Sequence, residues 1–491
     1  MFINDERKVG KGHSLPASFR FTRPSCHDDG PTSTKFTSLV KYGGQKIEGE
    51  DSRLKILRIA LSLTLVTVIA GALAACGGGE KKETAAQQPT GGQTAPGAQT
   101  NATGYKGGPA ELVVVDKDTG VTDEQFQKAF VDPVRAKYPE ITFKRSNMRL
   151  AEAIAAGTPP DIVLTSNPGL YSVLDLGVPE DLSSVIKTYN IDVNKMEPVV
   201  LNQMKVMGDQ KYFYGIPFSM NYGVMIYNQD IFDKFGVAYP KVGINYNELL
   251  ELAKKMTRKD SGVGYIGVLP PDLRQMYWQY GLPVFDQAKK KAVVTTEKHA
   301  QVFSLLSQFL TIPGYYEDGK APTSATFFKE QRLAMYATWM DAEFSSDPGF
   351  RWDITAHPGF ADRPGFGKGL DFHMLVVNKS SKNKEAAYQV AAVLLNEDVQ
   401  RTFGKLGRLT VLKNDEIRKT FGTGTDVFKG KNLQSIFQVS PSPLPPSSNY
   451  DSPINSLLNK EAVPSVTING IDINSALRAV EDKANKEIVI P

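Results

Sequence analysis

From Glu111 onward, short β-branched runs alternate with stretches of helical periodicity, and this alternation restricts the chain to an α/β architecture. Residues 111–116 (ELVVVD) read as a buried strand. Residues 123–138 follow with Phe126, Phe130 and Val134 at helical spacing, and Pro133 is expected to bend or interrupt that helix. Residues 141–143 form a second strand, 151–156 a helix stopped by Gly157, and 161–164 a third strand. Strands separated by helices need crossover connections, so a largely parallel sheet is expected.

The rhythm changes at residues 214–228 (YGIPFSMNYGVMIYN), where a Gly-Ile-Pro turn leads into a strand. A short helix over 230–235 stops at Gly236. Residues 247–256 carry Leu249, Leu250, Leu252 and Ala253 on one face, with Asn247 as the expected cap. Further helices are expected over 297–310, 384–395 and 472–487. The proline-rich stretch 440–447 (SPSPLPPS) reads as an extended connector between helical segments. No internal repeat is present.

Composition narrows the function classes. The 491 residues are 41% hydrophobic and 10% aromatic, enough to bury a core. Of the 57 basic and 53 acidic residues, 11 and 7 lie in the first 75, which leaves 46 of each beyond them. A neutral remainder lacks the clustered cations that nucleic-acid binding needs, so no nucleic-acid partner is expected. The two cysteines, Cys26 and Cys76, are too few for a disulfide framework or a thiolate zinc site. Beyond the first 75 residues only His299, His357 and His373 remain, without metal-ligand spacing. No cofactor and no metal are expected.

Arg53, Lys55 and Arg58 precede an apolar run over 59–73, which is 15 residues long. A spanning helix needs about 20. The run ends in Ala74-Ala75-Cys76, and charge, short apolar run and small residues together read as a signal peptide. Leu73-Ala74-Ala75-Cys76 resembles a bacterial lipobox, which implies lipidation of Cys76; an uncleaved anchor is the alternative. Residues 1–53 are read as a non-structural or mis-annotated extension, with Leu54 as a candidate start, and 54–75 as the signal. Residues 76–109 form a flexible tether, rich in Gly, Ala, Thr, Gln and Pro and too polar to offset their chain entropy by burial.

Five segments, in order, resemble the family 1 extracellular solute-binding proteins, the sugar-binding group that includes maltose-binding protein. They are Ala156–Val163 (AGTPPDIV), Tyr214–Pro217 with Tyr227–Phe232, Gly236 and Pro240 with Asn247-Glu248-Leu249, Phe328–Trp339 (FKEQRLAMYATW) and Ser380–Ala387 (SSKNKEAA). They span most of the chain beyond the tether. The family's tryptophan after the third strand is absent, as are its tryptophan before the 247–256 helix and its glycine after Ala334-Met335, which leaves the sugar unspecified.

The resemblance implies a two-lobed α/β fold of the type II periplasmic-binding-protein kind, with ligand in a cleft between lobes joined by crossing hinge segments. Lobe 1 would comprise 110–220 plus 372–410, and lobe 2 with the hinge-crossing helices 221–371 plus 411–491. It implies capture of a carbohydrate, an oligosaccharide by expectation, and delivery to the permease subunits of an ABC importer. The protein would be a monomer, held on the extracellular face of the cell membrane by its N-terminal lipid. The cleft would use Trp339 as a stacking platform, with Asp341 and Glu343 on the same loop, and Trp278 as a second aromatic. Asn221 and Tyr222 fall at the first crossing, Asp371 and His373 at the return crossing, and Asn167 and Tyr171 after the third strand, where open α/β sheets bind ligands. Packing is the alternative for Trp339 and Trp278, hinge structure for Asn221 and Tyr222, and a solvated loop for Asn167 and Tyr171, and Trp352 reads as packing. No nucleophile elbow or phosphate-binding loop is present, so the chain is read as a binding protein. A surface-anchored carbohydrate-active enzyme and a binding protein feeding a sensor kinase are the alternatives.

Overall fold

The computed structural model describes residues 107–340 and 347–488, all within one compact unit, Pro96–Pro491. The signal segment, Cys76, most of the tether, Asp341 and Glu343 lie outside the described residues. The strands in chain order begin with β1 (Ala110–Asp116), β2 (Ile141–Ser146), β3 (Ile162–Ser166), β4 (Ile216–Asn221), β5 (Gly223–Asn228), β6 (Arg258–Asp260) and β7 (Val263–Leu269). They continue with β8 (Phe285–Asp286), β9 (Lys291–Ala292), β10 (Leu333–Trp339), β11 (Trp352–Ala356), β12 (Phe366–Gly369), β13 (Asp371–Val377) and β14 (Ser440–Ser442).

Two five-stranded sheets carry two lobes, with orders β2-β1-β3-β13-β4 and β11-β5-β10-β7-β6. Neither sheet is largely parallel, which corrects the expectation from local alternation. In the first, β1 runs parallel to β2 and β3, but β13 is antiparallel to both β3 and β4. In the second, β5 is antiparallel to β10 and β11, and only β10 and β7 run parallel. The antiparallel strands return from distant sequence, which a window on neighbouring elements does not see.

Strand alternation divides the first lobe's core in two. Leu112, Val114, Ile162, Leu164, Leu375 and Val377 face one cluster, which includes Phe130, Val134, Val390 and Phe403 from covering helices. Val115, Val163, Met374 and Val376 face the opposite way into the larger cluster that continues around the second sheet. Trp352 packs there at 1% exposure, as read.

Helix boundaries follow local chemistry. The 297–310 helix has the expected limits, with Thr296 as its cap. The cap of the Tyr246–Met256 helix is Asn245 and not Asn247: its Oδ1 accepts from the amides of Asn247 and Glu248, while the Glu248 carboxylate accepts from the Asn245 amide. The reciprocal pair shifts the start upstream and lets Tyr246 pack inward. Near Pro133 the helix continues to Lys137, and the irregularity is a π turn, Gln127–Val131, just before it. A second π turn, Leu458–Ala462, precedes Pro464 in the same way. Gly236 ends the Gln229–Phe235 helix at φ 62°.

The chain passes from the first sheet to the second through the single residue Tyr222, between β4 and β5, and re-enters the first sheet at β13 through Leu370, which follows β12 of a separate two-stranded sheet, β12-β14. The amide of Met220 donates to the Leu409 carbonyl, which lays a third segment beside the first.

Candidate ligand cleft

The C-terminal ends of β1 and β3 form one wall of a cleft. Asp116 folds the loop after β1 by accepting from the Thr119 amide and hydroxyl and from the Val121 amide. This turns Asp118 toward β3, where its Oδ1 accepts from the Thr165 hydroxyl at 3.0 Å and the Ser166 amide at 2.7 Å. Gly169 is required by this approach, since a Cβ there would lie 2.2 Å from Asp118 Oδ2. Tyr171 follows on the Leu170–Asp175 helix.

The facing wall is the Leu273–Tyr280 helix, capped by Asp272. The Arg274 guanidinium lies over the Trp278 ring, 4.9 Å from its centroid, and Arg274 Nε is buried without a hydrogen-bond partner. A third wall comes from the Asp451–Leu457 helix. Asp451 accepts from the Ser448 amide and hydroxyl, and burial pushes its carboxyl above the usual range. Asn455, buried on the same helix, has an unpartnered Oδ1. These walls enclose about 530 Å³, lined also by Asn459, Lys460 and several serines. One half-buried indole among carboxylates, amides and hydroxyls suits a ligand with an apolar face and many hydrogen-bonding groups.

Trp278 and Tyr171 line this cleft. Asn167 sits where β3 ends but is buried, with its Nδ2 donating to the Leu370 carbonyl and its Oδ1 accepting from the Phe372 amide, so its amide ties β3 to the return crossing. Asn221 and Asp371 pair across β4 and β13, with Nδ2 donating to Oδ2 at 3.2 Å. His373 lies behind them, 3.8 Å from Asp371. Tyr222 lines a different cavity and is not brought together with Trp278. Trp339 ends β10, half-buried, with Lys368 Nζ 4.5 Å from its ring centroid. Lys368 also donates to Gln275, beside Arg274, so Trp339 stands near the cleft helix without lining the cavity.

Asp118, Arg274, Asp451 and Asn455 were missed from sequence. Asp118 had a signal, since it follows the end of a parallel strand. Asp451 had none, because nothing in the proline-rich connector shows that the next helix comes back to the cleft.

The sequence model of the bacterial extracellular solute-binding proteins matches residues 120–401. A curated protein of Brucella abortus (strain 2308) is 25% identical over 307 residues, spanning 58% of this chain and 71% of that protein. Among solved structures, an ABC substrate-binding protein from Listeria monocytogenes in complex with cycloalternan superposes with a TM-score of 0.63 at 21% identity, covering 77% of this chain and 98% of that one. A sugar transporter protein from Rhizobium etli in an open conformation gives 0.62 at 18%, covering 77% and 100%. The sugar-binding protein MalE from Xanthomonas citri gives 0.61 at 16%, covering 77% and 97%. These likenesses establish the two-lobed fold.

Proposed function

Because the chain belongs to the family of bacterial extracellular solute-binding proteins, we propose that it captures a carbohydrate, an oligosaccharide, in the cleft around Trp278 and delivers it to the permease subunits of an ABC importer. The observation that carries this reading is the lining: an indole for the C–H face of a sugar ring, with Asp118, Asp451, Asn455 and Arg274 converging from three separate segments to meet hydroxyls. The structural neighbours named for sugars share the fold. The protein works as a monomer on the extracellular face of the membrane, anchored through lipidated Cys76, and the ligand draws the lobes together. Asn221, Asp371 and Asn167 serve at the crossings beside the cleft, and Trp339 extends it along the Lys368 side.

A thermal-shift screen of the full chain against mono- and oligosaccharides tests this. A cognate sugar at 100 times its dissociation constant adds about 2.7 kcal/mol. If no sugar raises the melting temperature, the carbohydrate reading fails; release of hydrolysed product would make the protein an enzyme instead.

A further inference from the structure

The cleft does not end at Tyr171. A second cavity, of about 560 Å³, shares Tyr171, Ser447 and Ser448 with it, so the two meet at these residues. The turn at Ser447 and Ser448 is held from two directions. Gln287 Nε2 donates to the Ser447 carbonyl at 3.0 Å, and the Asp451 carboxylate accepts from the Ser448 amide and hydroxyl. Tyr450 and Asp451 are adjacent in the chain, yet the first lines the new arm and the second the cleft.

The arm is aromatic. Tyr171, Tyr214 and Tyr450 are half-buried. Phe285 is buried, with its ring centroid 4.7 Å from that of Tyr450. The four rings come from separate segments: the Leu170–Asp175 helix, the approach to β4, β8 and the end of the proline-rich connector. Leu174 and Met207 add apolar surface, while Gln287 and Asn449 add amides. The charged residues of the lining are Asp209 and Lys290, one of each sign and both exposed. A half-buried tyrosine presents an apolar ring and a polar tip together, as Trp278 does in the cleft. Each of the two cavities is by itself within the size range of a complete small-molecule site, about 300–1,000 Å³.

We propose that this arm is a second run of sugar-binding positions, and that the protein selects saccharide chains long enough to pass from Trp278 across Tyr171 to Tyr214 and Tyr450. The proposal rests on the carbohydrate reading of the cleft and specifies chain length within it. Sugar rings in the arm stack on the tyrosines, and their hydroxyls meet Gln287, Asn449 and the Ser447–Ser448 turn. A ring already tethered through the cleft enters the arm without a second loss of translational freedom, so its contacts add directly to affinity. A short saccharide fills one cavity and forgoes that gain.

Isothermal titration of the full chain with maltose, cellobiose and mannobiose, and with the hexamer of each series, tests this. In the series that binds, the hexamer is expected to bind at least about tenfold more tightly than the disaccharide. Tyr450→Ala and Tyr214→Ala each remove that gain, about tenfold on the hexamer, or one stacked ring, and leave the disaccharide unchanged. Trp278→Ala weakens both lengths. Denaturant unfolding establishes that each variant is folded; Tyr214→Ala, in a different segment, carries the test if Tyr450→Ala does not fold, and the wild-type comparison of lengths needs no variant. Equal affinity for disaccharide and hexamer, or variants that lose both lengths equally, overturns the arm while the carbohydrate reading stands. If no series binds at either length, the carbohydrate reading fails and the arm falls with it.

Discussion

Arg408 Nη1 lies 2.8 Å from His373 Nδ1, and both residues are buried. A guanidinium can only donate, so Nδ1 accepts and the imidazole proton sits on Nε2, facing Asp371. Burial first and then the Arg408 charge lower the His373 pKa to about 3. Arg408 also donates to the Thr119 carbonyl and to Gln125. One side chain beside the third crossing thus fixes the tautomer at the return crossing and the loop that presents Asp118.

Arg408→Met removes that clamp. Orphaning the Thr119 carbonyl and His373 Nδ1 costs about 3 kcal/mol in all, read by denaturant unfolding. Without the nearby cation the His373 pKa rises, which imidazole NMR follows through a pH series. A folded variant in which His373 still titrates near 3 would show that burial alone depresses it.

Trp278→Ala tests the cleft. Losing an aromatic-sized contact is worth about 1.5–3 kcal/mol, so the sugar found by screening binds about 10- to 150-fold more weakly. The melting temperature changes little, since Trp278 is only half-buried. Trp352→Ala is the contrasting variant: at 1% exposure it loses about 3–5 kcal/mol of stability while the folded fraction keeps its affinity. Unchanged affinity in Trp278→Ala removes the indole from the site.

His299 predicts a pH dependence. Its Nδ1 faces the Thr296 hydroxyl and its Nε2 the Pro283 carbonyl, and burial lowers its pKa from 6.5 to about 4. The unfolded chain therefore binds the proton first as pH falls. Stability from this residue is present above pH 6.5 and is lost toward pH 4, with a magnitude of about 3 kcal/mol. His299→Gln flattens that part of the acid limb in unfolding curves. An unchanged difference between pH 7 and pH 4 would assign the loss to other groups, His357 and His373 among them.

Cys76→Ser tests the anchor. Wild-type cells fed labelled palmitate incorporate it into the protein, and the variant does not, appearing in the medium or as unprocessed precursor. Absence of label from the wild type ends the lipoprotein reading.

The sequence alone determined what depends on local pattern. The 297–310 helix, the stop at Gly236 and the inward burial of Trp352 follow from the 3.6-residue period, a left-handed glycine and an apolar neighbourhood. The ordered motifs from Ala156 to Ala387 carried the family. Periodicity tells which face of an element is buried but not against what, so it could not show β13 lying antiparallel between β3 and β4. The cap moved from Asn247 to Asn245 because a capping box needs a glutamate three residues on, and Glu248 satisfies that only from Asn245. Tertiary structure also decided the cleft. Asp118, Trp278 and Asp451 belong to three segments far apart in the chain, and only the folding of the connector past Ser447 brings the last helix to the other two. Tyr222, adjacent to Asn221 in sequence, faces a different cavity because successive side chains on an extended strand point to opposite sides.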